Sequence, residues 1–237
     1  TMVKVFRKGM RIKDIKKERE YSHTALVCGV QTLIPYDVVS AGDSYGIVIE
    51  SDHAITLAQA IRKQPARLED YAEKFAGFLK EMHQVQIEAG EFPGIKDRYR
   101  GWIEKAGGFL SADDRGKITK LIEAIPDSKG FVHGNINLNN ILVQKGDFYL
   151  LDMAGAAHGH AIFDLQGLYA SLVMIERERP SYCSSAFRVS GEDCKKFWDV
   201  FYAKYMEGST EEQMEKMQQL LGQYYILKQK LLAVLEG

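Results

Sequence analysis

The chain has 237 residues, 46% hydrophobic and 27% charged, with 31 Lys and Arg against 32 Asp and Glu. That is enough chain for one large or two small domains with a sizeable core, and the near-neutral balance excludes a global field that recruits nucleic acid or a membrane surface. No run approaches the roughly eighteen apolar residues of a membrane span, the start carries no secretory leader pattern, and three widely spaced cysteines (Cys28, Cys183, Cys194) without metal-ligand spacing make a reduced cytoplasm the simplest setting.

Val3-Lys4-Val5-Phe6 alternates as a strand does, and Arg7 to Lys13 is a basic turn around Gly9. Asp14 to Cys28 reads as a helix, with Asp14 as N-cap and Gly29 as stop. Leu33 to Val39 and Tyr45 to Ile49 are two strands joined at Ala41-Gly42-Asp43-Ser44. Residues 56–64 form a short helix capped by Thr56. Leu68 to Glu88 is a longer one, whose Tyr71, Phe75, Phe78, Leu79 and Met82 lie on one buried face; His83 near its end reads as a packed structural histidine. After a loop at Phe92 to Gly94, two helices follow at Ile95 to Ala106 and Ala112 to Ile125, the second capped by Ser111 and followed by Pro126. Beyond residue 165 the chain reads as helical, over Asp164 to Glu178, Glu192 to Met206 and Thr210 to Leu235. The Met and aromatic stripe of the last helix is assigned to core. No repeat, linker or low-complexity segment interrupts this order.

Between these helices lies the stretch with the densest chemistry, Phe131 to Leu165. Ile141 to Val143 and Phe148 to Leu151 flank Lys145-Gly146-Asp147, the pattern of a β-hairpin. His133, Asn135 and Asn140 precede its first strand and Asp152 follows its second, so the hairpin delivers an amide pair and a carboxylate to one place. Kinase chemistry has that requirement: a residue that positions the attacking hydroxyl, an Asn ligand for Mg²⁺ five residues later, and an Asp ligand after a hairpin.

His133-Gly134-Asn135-x-x-x-x-Asn140 followed by Leu151-Asp152 resembles the aminoglycoside phosphotransferase and choline kinase-like family, whose loop reads H-G-D-x-x-x-x-N. Asp164, twelve residues after Asp152, matches a further Asp of that family. Asp152, Met153, Gly159, His160 and Phe163 to Leu165 are similar to the D-M-x(5)-G-H-x-x-F-D-L pattern of a bacterial small-molecule phosphotransferase branch, which accounts for His160 without a zinc site. The resemblance implies an α+β, two-lobed protein-kinase-like fold. Residues 1–51 would form a small N-lobe of strand, helix and two strands, and residues 52–237 a larger helical C-lobe carrying the catalytic hairpin region 131–165. The family's Gly-rich hairpin has no counterpart before Lys4; a chain that starts upstream of Thr1 and a protein without that loop both fit.

The same resemblance implies an ATP- and Mg²⁺-dependent transfer to a hydroxyl of a small molecule. Lys4 would bind phosphate, held by Glu20 on the following helix, with Glu18 as second choice. The backbone at Ile49 and Glu50 would meet adenine. Asn140 and Asp152 would hold Mg²⁺, and His133 and Asp164 would support the loop. Asn135 stands where the family has its catalytic Asp, and an amide cannot take the acceptor's proton. An impaired phosphotransferase, a nucleotide-binding pseudokinase and a non-catalytic interaction module therefore stay open. Glu207, Glu211, Glu212 and Glu215 cluster near the start of the last helix, where carboxylates serve as dipole partners, so they do not single out a cationic acceptor.

Overall fold

Strands β1 (Met2–Val5), β2 (Pro35–Ala41) and β3 (Ser44–Ile49) pair antiparallel in the order β1-β3-β2, with Lys4 opposite Ile47. The structure is a computed structural model and describes residues 1–236. Helix α1 (Ile12–Val27) joins β1 to β2 and sets Ile15 into a small core with Phe6, Leu33, Ile47, Ile49 and Leu142. It begins two residues before the expected Asp14. Arg11 holds the cap position without a side-chain cap, and Asp14 lies in the first turn, where Arg11 Nε donates to its Oδ2 at 2.8 Å. A first-turn carboxylate meets the positive end of the helix nearly as well as a cap does.

The remainder is mainly helical. Thr56 caps α2 (Leu57–Lys63) in a reciprocal box with Gln59. The central helix α3 (Leu68–Gln84) packs its Tyr71, Phe75, Leu79 and Met82 face on α9 (Gly191–Tyr205), with the Phe75 ring 5.5 Å from that of Phe201. Phe75 is fully buried, and truncating such a ring to Ala costs about 3–5 kcal/mol. α3 ends four residues before the expected Glu88. Gln86 bridges to Gly130 and the Ile87 N–H donates to Lys129 O at 2.9 Å, so this backbone pairs with the segment leading into Phe131 instead of continuing the helix.

α4 (Ile95–Ala106) and α5 (Ala112–Ala124, capped by Ser111) pack against α10 (Glu211–Glu236), which buries Leu221, Tyr224, Tyr225 and Leu231. α6 (Ile162–Tyr169) runs through a π-helical turn at Ala170–Met174 into α7 (Ile175–Glu178), and α8 (Tyr182–Ala186) precedes α9. There are two further small sheets, β4 (Ile55–Thr56) with β6 (Ile141–Gln144) and β7 (Asp147–Leu150), and β5 (Phe131–Val132) with β8 (Ala157–His158). Thr32 bridges to Leu150 and donates its hydroxyl to that carbonyl at 2.9 Å, tying the N-terminal sheet to the hairpin. Among the described residues, no helix is long and apolar enough to cross a membrane.

Candidate active site

The hairpin β6–β7 has Gln144 opposite Asp147, which leaves a two-residue turn at Lys145 and Gly146, with φ of 53° and 97°. Two positive φ values mark the primed turn that matches strand twist. At the open end, the Leu151 N–H donates to Asn140 O at 2.9 Å. Asn140 and Asp152 therefore leave the hairpin side by side. Asp152 adopts a left-handed conformation, φ 72° and ψ 67°, which costs a non-glycine residue about 1–3 kcal/mol and clusters at functional sites.

The loop before β6 is held from behind by Asp164 in the first turn of α6. Its Oδ2 accepts the His133 N–H at 2.8 Å and its Oδ1 accepts the Gly134 N–H at 2.7 Å. His83 Nε2 lies 3.2 Å from the same carboxylate, and His83 Nδ1 lies 2.8 Å from the Tyr205 hydroxyl. Burial alone would raise the Asp164 carboxyl; the His83 bond and the charges and N–H around it outweigh burial and hold it below the usual carboxylate range. His133 is fully buried. Its Nε2 donates to Leu151 O at 2.9 Å and its Nδ1 accepts the Asn135 N–H at 3.3 Å, which requires the neutral ring; burial pushes its pKa down. Gly134 has φ 79°, and a Cβ there would collide with the Gly155 carbonyl. Loop and post-hairpin backbones can approach this closely only because residue 134 has no side chain.

In front of this frame five side chains gather. Lys4 Nζ lies 2.5 Å from Glu18 Oε1 and 3.0 Å from Asp152 Oδ1. Asn135 Nδ2 donates to Asp152 Oδ2 at 3.3 Å, and Asn140 Nδ2 donates to Asn135 O at 2.9 Å. Burial raises the Glu18 carboxyl; Lys4 opposes that shift and the Asp152 charge adds to it. The space behind Lys4, lined by Glu18, Thr32, Ile47, Ile49 and Leu150, is about 10 Å³, room for no more than a single water.

Two expectations need correction. Glu20 does not hold Lys4. It is exposed, whereas Glu18 shares the buried face of α1 with Ile15 and Ala25; two residues turn a helix by about 200°, so both glutamates cannot face the sheet. The Glu50 N–H is not free to meet adenine. It donates to Ile34 O at 2.9 Å, because the chain entering β2 extends the ladder past buried Ile49, which pairs with Met2 and Pro35. Sequence reading also passed over Arg98. From α4 its guanidinium donates to Gly155 O at 2.6 Å and Ala156 O at 3.1 Å, behind the turn that follows Asp152. One arginine in a helix rich in charges carries no pattern that would have revealed this.

Residues 2–183 match the model of the Phosphotransferase enzyme family. The chain belongs to this family. No curated protein matches it. Among solved structures, an aminoglycoside-3'-phosphotransferase of type VIII is 18% identical, covering 94% of this chain and 84% of that one, with a TM-score of 0.55. Aminoglycoside phosphotransferase APH(3'')-Id from Streptomyces rimosus, in complex with ADP and streptomycin, is 15% identical over 94% of this chain and 86% of that one, with a TM-score of 0.56. A choline/ethanolamine kinase family protein from Mesorhizobium loti is 12% identical over 99% of this chain and 73% of that one, with a TM-score of 0.57. At such identities the likeness is one of fold: a small N-terminal sheet with one helix, a helical remainder, and a kinase-like arrangement of the two.

Proposed function

We propose that this phosphotransferase family member transfers the terminal phosphoryl group of ATP to a hydroxyl of a small molecule, with Asn135 at the position of the proton-accepting residue. The observation that carries the reading is the placement of Lys4 Nζ between Glu18 Oε1 and Asp152 Oδ1, at 2.5 and 3.0 Å. A lysine braced by a buried carboxylate is pre-organised to bind phosphate oxygens. Lys4, Glu18 and Asp152 together carry one excess negative charge. Asp152 and the side-chain oxygen of Asn140 are hard donors of the kind Mg²⁺ takes, one or two from protein with the rest from phosphates and water. Mg²⁺, when bound, supplies neutralisation of the phosphate charge. Ile49 would border the adenine ring, with the Glu50 carbonyl rather than its N–H as the polar contact. The three unpaired cysteines and the need for ATP fit a cytoplasmic setting.

A specific contact favours a second reading, a nucleotide-binding protein with little transfer. Asn135 turns an amide donor to Asp152, 3.3 Å away, and presents no carboxylate to an acceptor hydroxyl. The two readings separate in single-turnover transfer from ATP by the full natural chain and by Asn135→Asp. Loss of a general base costs about 10²–10⁴ in rate, so Asn135→Asp is expected to gain within that range, towards its low end because phosphoryl transfer depends mostly on positioning. Nucleotide affinity stays unchanged, and Asp152→Ala abolishes transfer in either background. Equal rates for Asn135 and Asp at this position would show that residue 135 does not handle the proton.

A further inference from the structure

Beside the catalytic loop a cleft of about 210 Å³ opens between Gly134–Asn137, the α6–α7 region and α10. Among the described residues, no carboxylate lines it. Lys228 projects into it from α10, half-buried, and makes no ion pair or hydrogen bond among the described residues. Gln166 lines the cleft from α6 and is 3% exposed. Ala170 and Ser171 of the π-helical turn at Ala170–Met174 also line the cleft; such a turn is a local distortion of a kind frequent at functional sites.

We propose that this cleft is an anion-binding subsite, in which Lys228 and Gln166 hold an oxyanion, carboxylate or phosphate, of a small hydroxylated acceptor. The word acceptor rests on the phosphotransferase reading above; the anion site rests on the cleft itself. A half-buried ammonium without a counter-ion is costly to maintain, and nearby carboxylates of the described residues are engaged elsewhere. Glu176 accepts the Ser181 and Cys183 N–H groups at 2.9 and 2.7 Å, and Glu178 accepts the Tyr225 hydroxyl at 2.5 Å. Asp164, whose charge acts on Lys228, is bound by the His133 and Gly134 amides and by His83.

Arg98 adds a second cation near the loop that makes no ion pair among the described residues; it bonds only to carbonyls. Burial pushes Lys228 below its ordinary pKa, with Arg98 acting in the same direction and Asp164 against it. A bound oxyanion would reverse that shift. Asn135 brings an amide where the family's loop brings a carboxylate, so the loop itself sets no negative charge against such a ligand.

The test is binding of D-gluconate, glycerol 3-phosphate, ribitol and kanamycin to the full natural chain with AMP-PNP and Mg²⁺, read by calorimetry and ligand-observed NMR. Native protein, Lys228→Met and Lys228→Arg are compared. Gluconate or glycerol 3-phosphate is expected to bind the native protein, to bind Lys228→Met at least about tenfold more weakly, and to recover with Lys228→Arg. The preferred anion distinguishes carboxylate from phosphate, and ribitol binding does not change between variants. Lys228→Met melts no lower than the native protein, because it removes an uncompensated charge. Absence of binding by both anions, equal anion binding by Lys228→Met, or kanamycin bound more tightly than either anion overturns the proposal. AMP-PNP titrated alone reports on the kinase reading: no nucleotide binding together with Lys228-dependent anion binding overturns that reading and leaves the subsite standing.

Discussion

Glu18 and Glu20 lie on opposite sides of one helix, and that phase decides which of them Lys4 meets. The Glu18 side chain is 6% exposed and the Lys4 side chain 19%, so their ion pair is shielded enough to matter. Hydrogen bonds to charged groups are worth about 1.5–3 kcal/mol, a factor of about ten to a hundred in affinity. If Lys4 must be braced to bind phosphate, Glu18→Gln raises the ATP dissociation constant by about tenfold or more, while Glu20→Gln changes it by less than about twofold, as exposed substitutions do. Titration with a fluorescent ATP analogue measures both. A larger effect from Glu20 would place the wrong carboxylate at the site. Residue type and spacing pointed to a glutamate in this turn of α1; which one was set by where the apolar face of the helix falls, and α1 has few apolar residues to mark it.

At the scale of elements, the hairpin β6–β7 is where sequence reading reached furthest. Apolar runs around a Gly-containing turn were enough to bring Asn140 and Asp152 to one end, because the hydrogen-bond register of a tight hairpin leaves no freedom to separate them. The turn itself is not ideal. Lys145 sits at φ 53°, a left-handed conformation that costs an ordinary L-residue about 1–2 kcal/mol and that Asn tolerates better. Its ion pair with Asp52, at 2.6 Å, is mostly exposed on both sides and so contributes little. Lys145→Asn is therefore expected to stabilise the fold by roughly 0.5–1 kcal/mol, part of that left-handed cost, with catalysis unchanged. Urea denaturation checks it; a lower midpoint would mean that the Asp52 contact outweighs the turn. Element ends were less legible. α3 stops at Gln84 because its downstream backbone finds partners around Gly130, a contact between distant segments that no local propensity encodes.

For the whole molecule, two histidines withdrawn from solvent to different degrees shape the response to acid. His133 and His160 are both held below the usual imidazole value of 6.5 by burial. The unfolded chain binds their protons first, so their contribution is fully present above about pH 6.5 and is lost as pH falls from there through their folded values. Each proton adds a slope of up to about 1.4 kcal/mol per pH unit. Asp164 is also depressed, from 3.8, so its contribution holds at neutral pH and is lost only below about pH 4. Stability measured by urea denaturation should be level from pH 8 to about 7 and fall as the pH drops below about 6.5. His133→Gln should lower the plateau, since the Leu151 carbonyl and Asn135 amide lose a partner, and flatten the slope. An unchanged slope would mean that His133 does not take up its proton on unfolding.

The sequence by itself determined the motif and much of the secondary structure. His133, Asn135, Asn140, Asp152 and Asp164 are spaced by hairpin and helix geometry, which is local, and the amphipathic stripe of α3 repeats with the helix period. Only the tertiary structure chose Glu18 over Glu20, engaged the Glu50 amide with Ile34, set Arg98 behind the loop, and turned Lys228 into a cleft formed by segments from three parts of the chain. The physical reason is that each of these depends on which faces of separate elements meet. Burial then decides whether the charge is compensated, and a residue's own neighbours in sequence carry no record of that.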